Sequence, residues 1–152
     1  DKYKIDHSLF HIEVTESIAE ENPNFIVDVL QKLHRNGFVI ELDDFGSGYS
    51  SLAALTTLCL DVMKLDISVI RNASEKKNYS LVRYAILLAE SMRLKTIAEG
   101  VETDEQMAAL RVLGCDYVQG HYYSTALPKD EFEPYLLEHE SSSNDSFMGR
   151  VF

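Results

Sequence analysis

Five short apolar runs, each ending at a polar or charged residue and each followed by a helical pattern, constrain this chain more than any other feature. The runs are Leu9–Val14, Phe38–Leu42, Val62–Asp66, Thr96–Ala98 and Asp116–Gly120. Apolar runs this short read as strands buried on both faces. Asn22-Pro23 places a cap and a first-turn proline before a helix whose apolar face is Phe25, Ile26, Val29, Leu30 and Leu33, and Gly37 ends it. Leu52, Leu55 and Leu58 mark a short helix; after the polar interval Glu75–Asn78, a longer one buries Leu81, Ala85, Leu88, Ala89 and Met92. Thr103 with Gln106 forms a capping box for a helix through Met107, Leu110 and Leu113 that stops at Gly114, and Pro128 and Asp130 open a last helix reaching about Leu137. This alternation, with its short connections, predicts an α/β fold with a parallel sheet and crossover helices. The strand ends carry Glu13, Asp43, Lys64, Glu99 and Gln119 in equivalent positions. In a β/α barrel such ends converge on one mouth, where catalytic residues lie. One shared site accounts for them more simply than five unrelated surface residues.

The stretch Glu41–Leu52 holds the densest signal. A buried strand stops at two adjacent carboxylates, Asp43 and Asp44, then Gly46 and Gly48 make a tight loop into a helix. Paired carboxylates suit a hard divalent cation such as Mg²⁺, Mn²⁺ or Ca²⁺. A single aspartate there reads better as an Asx turn or a helix cap. Together, Glu13, Asp43, Asp44 and Glu99 with Lys64 and Gln119 suit metal-assisted hydrolysis of a phosphate ester. Carboxylates hold one or two divalent ions, a further carboxylate takes a proton from water, and a lysine offsets developing charge. Each residue also has a plainer reading. Glu13 reads as an exposed strand end, Lys64 as a snorkelling lysine, Glu102 as a first-turn acid favoured by the helix dipole, and Gln119 as a strand-end hydrogen bonder.

With 152 residues, 45% of them hydrophobic and 26% charged, the chain has the length and composition of one globular domain. Its net charge of -11 argues against a nucleic-acid polymer or an anionic membrane surface as partner. A small phosphate ligand stays compatible, because a bound cation inverts the local field. Cys59 and Cys115 lack any metal-ligand or redox spacing and read as reduced core residues of a cytoplasmic protein. No run approaches the length of a membrane span. His7, His11, His34 and His139 are scattered and need no function, whereas His121 and Tyr122, beside Gln119, read either as groups that stack on a ligand or as surface packing. The domain is expected over residues 1–140, with 141–152 a polar, flexible tail.

The segments His11–Ser17, Asp43–Leu52, Lys64–Asp66, Ala98–Thr103 and Gln119-Gly120 resemble the EAL domain family, in the family's order and near its spacing, from about Leu9 to about Leu136. The resemblance implies a TIM-like β/α barrel that hydrolyses the bacterial second messenger cyclic di-GMP to linear pGpG, using Mg²⁺ or Mn²⁺ as a pair of ions. It makes Glu13, Asp43 and Asp44 metal ligands, Lys64 the lysine beside the catalytic water, Glu99 the general base and Gln119 the substrate-facing glutamine. Glu16 and Glu102 are implied as supporting acids, with Glu16 anchoring the Gly46–Ser51 loop, Gly46, Ser47 and Gly48 among its site residues, that links catalysis to dimerisation. The expected partners are cyclic di-GMP, a second copy of the chain, and a covalently linked upstream sensory or GGDEF-type domain. The expected setting is the bacterial cytoplasm, including the cytoplasmic part of a larger membrane-anchored protein. Neither the Glu-Ala-Leu signature nor the asparagine that follows it in the family lies upstream of Glu13, so an incomplete barrel of about five β/α units, the C-terminal two-thirds of the domain, is expected. Cys59, Ile67 and Thr125-Ala126 also depart from the family pattern. Because upstream metal ligands are absent, the alternative is a catalytically inactive cyclic di-GMP-binding or dimerisation module.

Overall fold

The computed structural model describes residues 2–15, 17–18, 23–47, 52–71 and 76–140. Five strands form one sheet: β1 (His11–Thr15), β2 (Val39–Phe45), β3 (Val62–Leu65), β4 (Lys95–Glu99) and β5 (Tyr117–Gln119). The helices are α1 (Pro23–Arg35), α2 (Leu52–Thr57), α3 (Ile67–Ile70), α4 (Lys76–Ser91), α5 (Asp104–Leu113) and α6 (Lys129–Glu140). Every pairing is parallel, and the strands lie side by side in chain order. A doubly wound sheet reverses its order at a switch point, whereas an arc of β/α barrel does not. The described strands form such an arc, open between β1 and β5.

Strand side chains alternate between two faces. One set, Val14, Ile40, Leu42, Met63, Leu65, Ala98 and Val118, packs with Leu30, Leu55, Ile70, Val82, Ala85, Ala89, Met107 and Leu110 from the helices into the core. Leu42, Met63, Leu65 and Val82 are fully buried. Each such side chain contributes about 1.5–3 kcal/mol relative to exposure. The alternate set (His11, Glu13, Glu41, Asp43, Val62, Lys64, Ile97, Glu99, Tyr117 and Gln119) lies on the opposite face, and nearly all the chemistry is there.

Sequence and structure differ at several element boundaries, each for a local reason. Leu9 belongs to a 3-10 turn whose cap, Asp6, accepts from the Ser8 amide at 2.9 Å, so β1 starts only at His11. Asp66 caps the one-turn helix α3 by accepting from the Ser68 amide at 2.8 Å, a helix that hydrophobic periodicity is too short to reveal. The polar interval before α4 supplies the helix's first turn from Lys76. The Thr103–Gln106 capping box and the left-handed Gly114 bound α5 as expected. The last helix runs past Leu137 to Glu140, and the tail expected over 141–152 lies outside the described residues.

The histidines have more structure than expected. His11 hydrogen-bonds the buried carboxylate of Glu41, and His34 Nε2 lies 3.1 Å from Asp61 Oδ1. Asp61 and Asp116, each just before a strand, accept the amides of Ile40 and Thr96 on the neighbouring strand at 2.9 and 3.0 Å. Each extends the strand ladder by one side-chain bond and fixes where its strand begins.

Candidate active site

Asp43 and Asp44 are consecutive, and in a regular strand consecutive side chains point to opposite faces. The structure resolves this with a bulge. Leu42 pairs with Met63 and Phe45 with Leu65, so β2 spends one more residue than β3 over the same stretch. Such an insertion re-aims the side chains around it. Asp44 takes up the extra length in the left-handed region at φ 59°, which asparagine and aspartate tolerate better than most residues. Phe45 consequently returns to the helix-side core, while both aspartates serve the mouth of the arc. The strand therefore runs through the carboxylates to Phe45 instead of stopping before them at Leu42. Ser47 closes the turn by donating its amide to the Asp44 carbonyl at 3.1 Å.

The bulge brings carboxylate oxygens of Asp43, Asp44 and Glu99 within 4.8 Å of one another. At the centre of the same mouth lies Lys64, whose side chain is only 6% exposed. Its Nζ donates to Glu13 Oε1 at 2.5 Å and Asp43 Oδ1 at 2.9 Å, and lies 2.8 Å from Glu99 Oε1. Burial works against the ammonium, but the bonds to Glu13, Glu99 and Asp43 outweigh it and raise the lysine above its ordinary pKa. Lys64 is thus a fixed buried cation, unlike a lysine that snorkels to solvent.

Four carboxylates around one ammonium leave an excess of negative charge. Burial, followed by the charge of Asp43, raises Asp44 above the usual aspartate range. Burial also raises Glu99, only partly opposed by Lys64. Oxygen-only donors, close together and reluctant to ionise side by side, fit a hard divalent cation of the Mg²⁺ or Mn²⁺ kind. Asp43, Asp44 and Glu99 are the group brought to ligand distance; Glu13, 53% exposed, reaches Lys64 instead.

Gln119 is exposed and stands beside Glu99 in the β4–β5 register. Glu102 is also exposed, and with Gln119, Gly120, Tyr123 and Phe132 it lines a cavity of about 610 Å³ between the ends of β4 and β5 and α6. Gly46, at φ 96°, carries the chain out of β2, and Ser47 is exposed beside it. Glu16 and Gly48 lie outside the described residues. Sequence reasoning overlooked Val69, and it read Gln106 only as a cap and Ile67 only as a departure from the family pattern; in the structure Ile67 lines the same cavity as Glu102 and Gln119, while Val69 and Gln106 are buried behind the site. The signal available for them was the pair Gly46 and Gly100, each directly after a site-bearing strand.

The EAL domain family matches residues 1–126. Cyclic di-GMP phosphodiesterase NbdA of Pseudomonas aeruginosa is 39% identical over 126 residues, 82% of this chain and 16% of NbdA. The solved PaMucR phosphodiesterase in complex with c-di-GMP superimposes with a TM-score of 0.79 at 32% identity, over 86% of this chain and 53% of that one. Klebsiella pneumoniae BlrP1, solved at pH 9.0 with manganese and cyclic di-GMP, gives a TM-score of 0.74 at 30% identity, over 80% and 31% of the two chains. The chain therefore spans about a sixth of the length of a curated relative and no more than about half of these solved chains. An in-order parallel arc, a bulged pair of aspartates and a family match over most of the length converge on one conclusion: this chain belongs to the EAL domain family.

Proposed function

We propose that this domain, within its full-length polypeptide, is a metal-dependent phosphodiesterase that hydrolyses cyclic di-GMP to linear pGpG. The observation that carries the reading is the cluster of Asp43, Asp44 and Glu99 gathered around the buried Lys64. The names of NbdA and PaMucR and the c-di-GMP and manganese in the solved relatives support it. Asp43 and Asp44 would hold Mg²⁺ or Mn²⁺, with Glu99 at ligand distance and Glu13 contributing as the family resemblance implies; two ions are proposed. A divalent ion there supplies Lewis-acid polarisation of a phosphoryl oxygen and lowers the pKa of a bound water.

The remaining work falls to side chains. Glu99, whose carboxylate is held above its usual range, takes the proton of the attacking water as the water oxygen bonds to phosphorus and one ring phosphodiester bond breaks; the leaving ribose oxygen takes up a proton from solvent and departs as a hydroxyl, and Glu99 returns its proton to solvent. Lys64 offsets negative charge gathering on the phosphoryl group. Gln119 offers an amide to the dinucleotide, while Glu16, Glu102 and the loop of Gly46, Ser47 and Gly48 support the mouth. Residues 1–140 supply the C-terminal two-thirds of the domain, which works as a homodimer in the bacterial cytoplasm, joined to an upstream sensory or GGDEF-type domain.

The test is turnover of cyclic di-GMP with Mn²⁺ by the full-length natural polypeptide and its E99A variant. Formation of pGpG by the parent alone is expected. No product from a folded, metal-supplied parent overturns the enzyme reading. The second reading, a cyclic di-GMP receptor without hydrolysis, is favoured by one contact: Glu13 is engaged by Lys64. A receptor binds the dinucleotide without strong dependence on the metal.

A further inference from the structure

Gln106 is 8% exposed and makes three hydrogen bonds to backbone. Its Oε1 accepts the amides of Glu102 at 2.8 Å and Thr103 at 3.1 Å. Those two donors fix which end of the side-chain amide is oxygen, so the NH₂ group points the other way. There Nε2 meets the carbonyl of Arg71 at 3.4 Å, the long end of the hydrogen-bond range. Arg71 is the C-cap of α3, where a helical carbonyl has no partner within the helix. A capping box needs only an acceptor at this position, and glutamate serves as well as glutamine. The part of Gln106 that capping does not use is the part that holds α3.

The helix it holds sits between the two loops that carry the carboxylates. A Cβ on Gly46 would lie 2.4 Å from Val69 Cγ2, and a Cβ on Gly100 would lie 2.3 Å from Ile67 Cγ1. Both glycines have positive φ, so each loop bends down onto the helix as it leaves its strand. The Asp66 amide also donates to the Phe45 carbonyl at 3.1 Å, tying the start of α3 to the end of β2. The helix is a wedge. One side sets the loop after Asp43 and Asp44, the other sets the loop after Glu99, and Gln106 fastens its far end.

We infer that Gln106 is a positioning residue for the site: through its amide on Arg71 it holds α3 in place, and α3 fixes the spacing between the Asp43–Asp44 carboxylates and Glu99. The inference rests on the proposed metal-dependent reaction only for its kinetic readout. Q106E is the discriminating variant, because its carboxylate still accepts both amides of the cap but cannot donate to Arg71. T103A is its counterpart, removing the cap hydroxyl that accepts the Gln106 amide while sparing the tether.

The experiment compares wild type, Q106E and T103A in the full-length polypeptide, reading Tm, Mn²⁺ affinity by calorimetry, and kcat and KM for cyclic di-GMP. For Q106E, Mn²⁺ binding weakened by about tenfold and kcat lowered by about tenfold at unchanged KM are expected, the scale of loss when support around a metal site is removed. For T103A, the reverse is expected: a lower Tm with unaltered metal affinity and kcat. Q106E with wild-type metal affinity and kcat overturns the inference. Should Q106E lower Tm as well, I67A decides, since it trims the wedge at a half-buried position; unaltered metal affinity there overturns the inference equally. Absence of turnover in the wild type would refute the phosphodiesterase reading and leave the Mn²⁺ titration as the test of Gln106.

Discussion

Lys64 illustrates how little a residue's type says without its surroundings. A lysine in an apolar strand is usually a long side chain escaping to water. Here it is buried and bonded to carboxylates from three other strands. Removing the one cation of a buried cluster that holds an excess of carboxylates strands those carboxylates, at a cost of about 3–5 kcal/mol. K64M is therefore expected to lose about 3 kcal/mol of stability by urea denaturation in metal-free buffer and to lose turnover. The acids follow a definite pH rule. Because Glu99 and Asp44 are raised in the folded protein, their contribution to stability is present below the ordinary carboxylate values of 4.5 and 3.8 and is lost as pH rises through the raised ones. Metal-free E99Q should then be more stable than wild type at neutral pH, and the gap should close toward acid conditions. Urea midpoints measured across that window test it, and a gap that widens in acid would contradict the assignment. Lys64 behaves oppositely. Its raised pKa contributes stability fully below 10.5 and loses it as pH climbs further.

At the scale of elements, the site depends on two backbone irregularities, the β2 bulge and the one-turn α3. Gly100 is where they meet the Glu99 loop, with φ 66° and the Ile67 side chain where a Cβ would go. G100A is expected to cost about 2 kcal/mol through left-handed strain and the displaced wedge. The double variant G100A/I67A should recover the part due to Ile67 Cγ1 and Cδ1, its Cβ at 2.9 Å remaining, and a double-mutant cycle on Tm separates that part from the backbone strain. Full additivity would mean that Ile67 had never been in the way. These features are also the ones that were hard to read in advance. The capping box of α5 was legible because it depends on residues three apart in the chain. Helix α3 was not, because a single turn has no periodicity to detect. The bulge was not, because its register is set by a partner strand about twenty residues away.

At the scale of the whole molecule, the in-order parallel sheet makes one end of the arc a single site, since all five strands point the same way. The loop through Gly46 and Ser47 lies at that end, so the homodimer expected from the family should be linked to the mouth. Sedimentation of the full-length polypeptide should show a dimer, and a well-folded monomer persisting at high concentration would remove that claim. The amino-acid sequence by itself determined the α/β class, the succession of strands and helices along the chain and the identity of the polar residues at the strand ends, because hydrophobic alternation and strand-to-helix punctuation are local signals. Only the tertiary structure decided which of those residues act together. It set Lys64 against Glu13, Asp43 and Glu99, turned two neighbouring aspartates to one side, and placed Ile67, Val69 and Gln106 behind them. Those relations depend on register, burial and a bulge, and each arises from chain segments far apart in sequence that meet only when the sheet assembles.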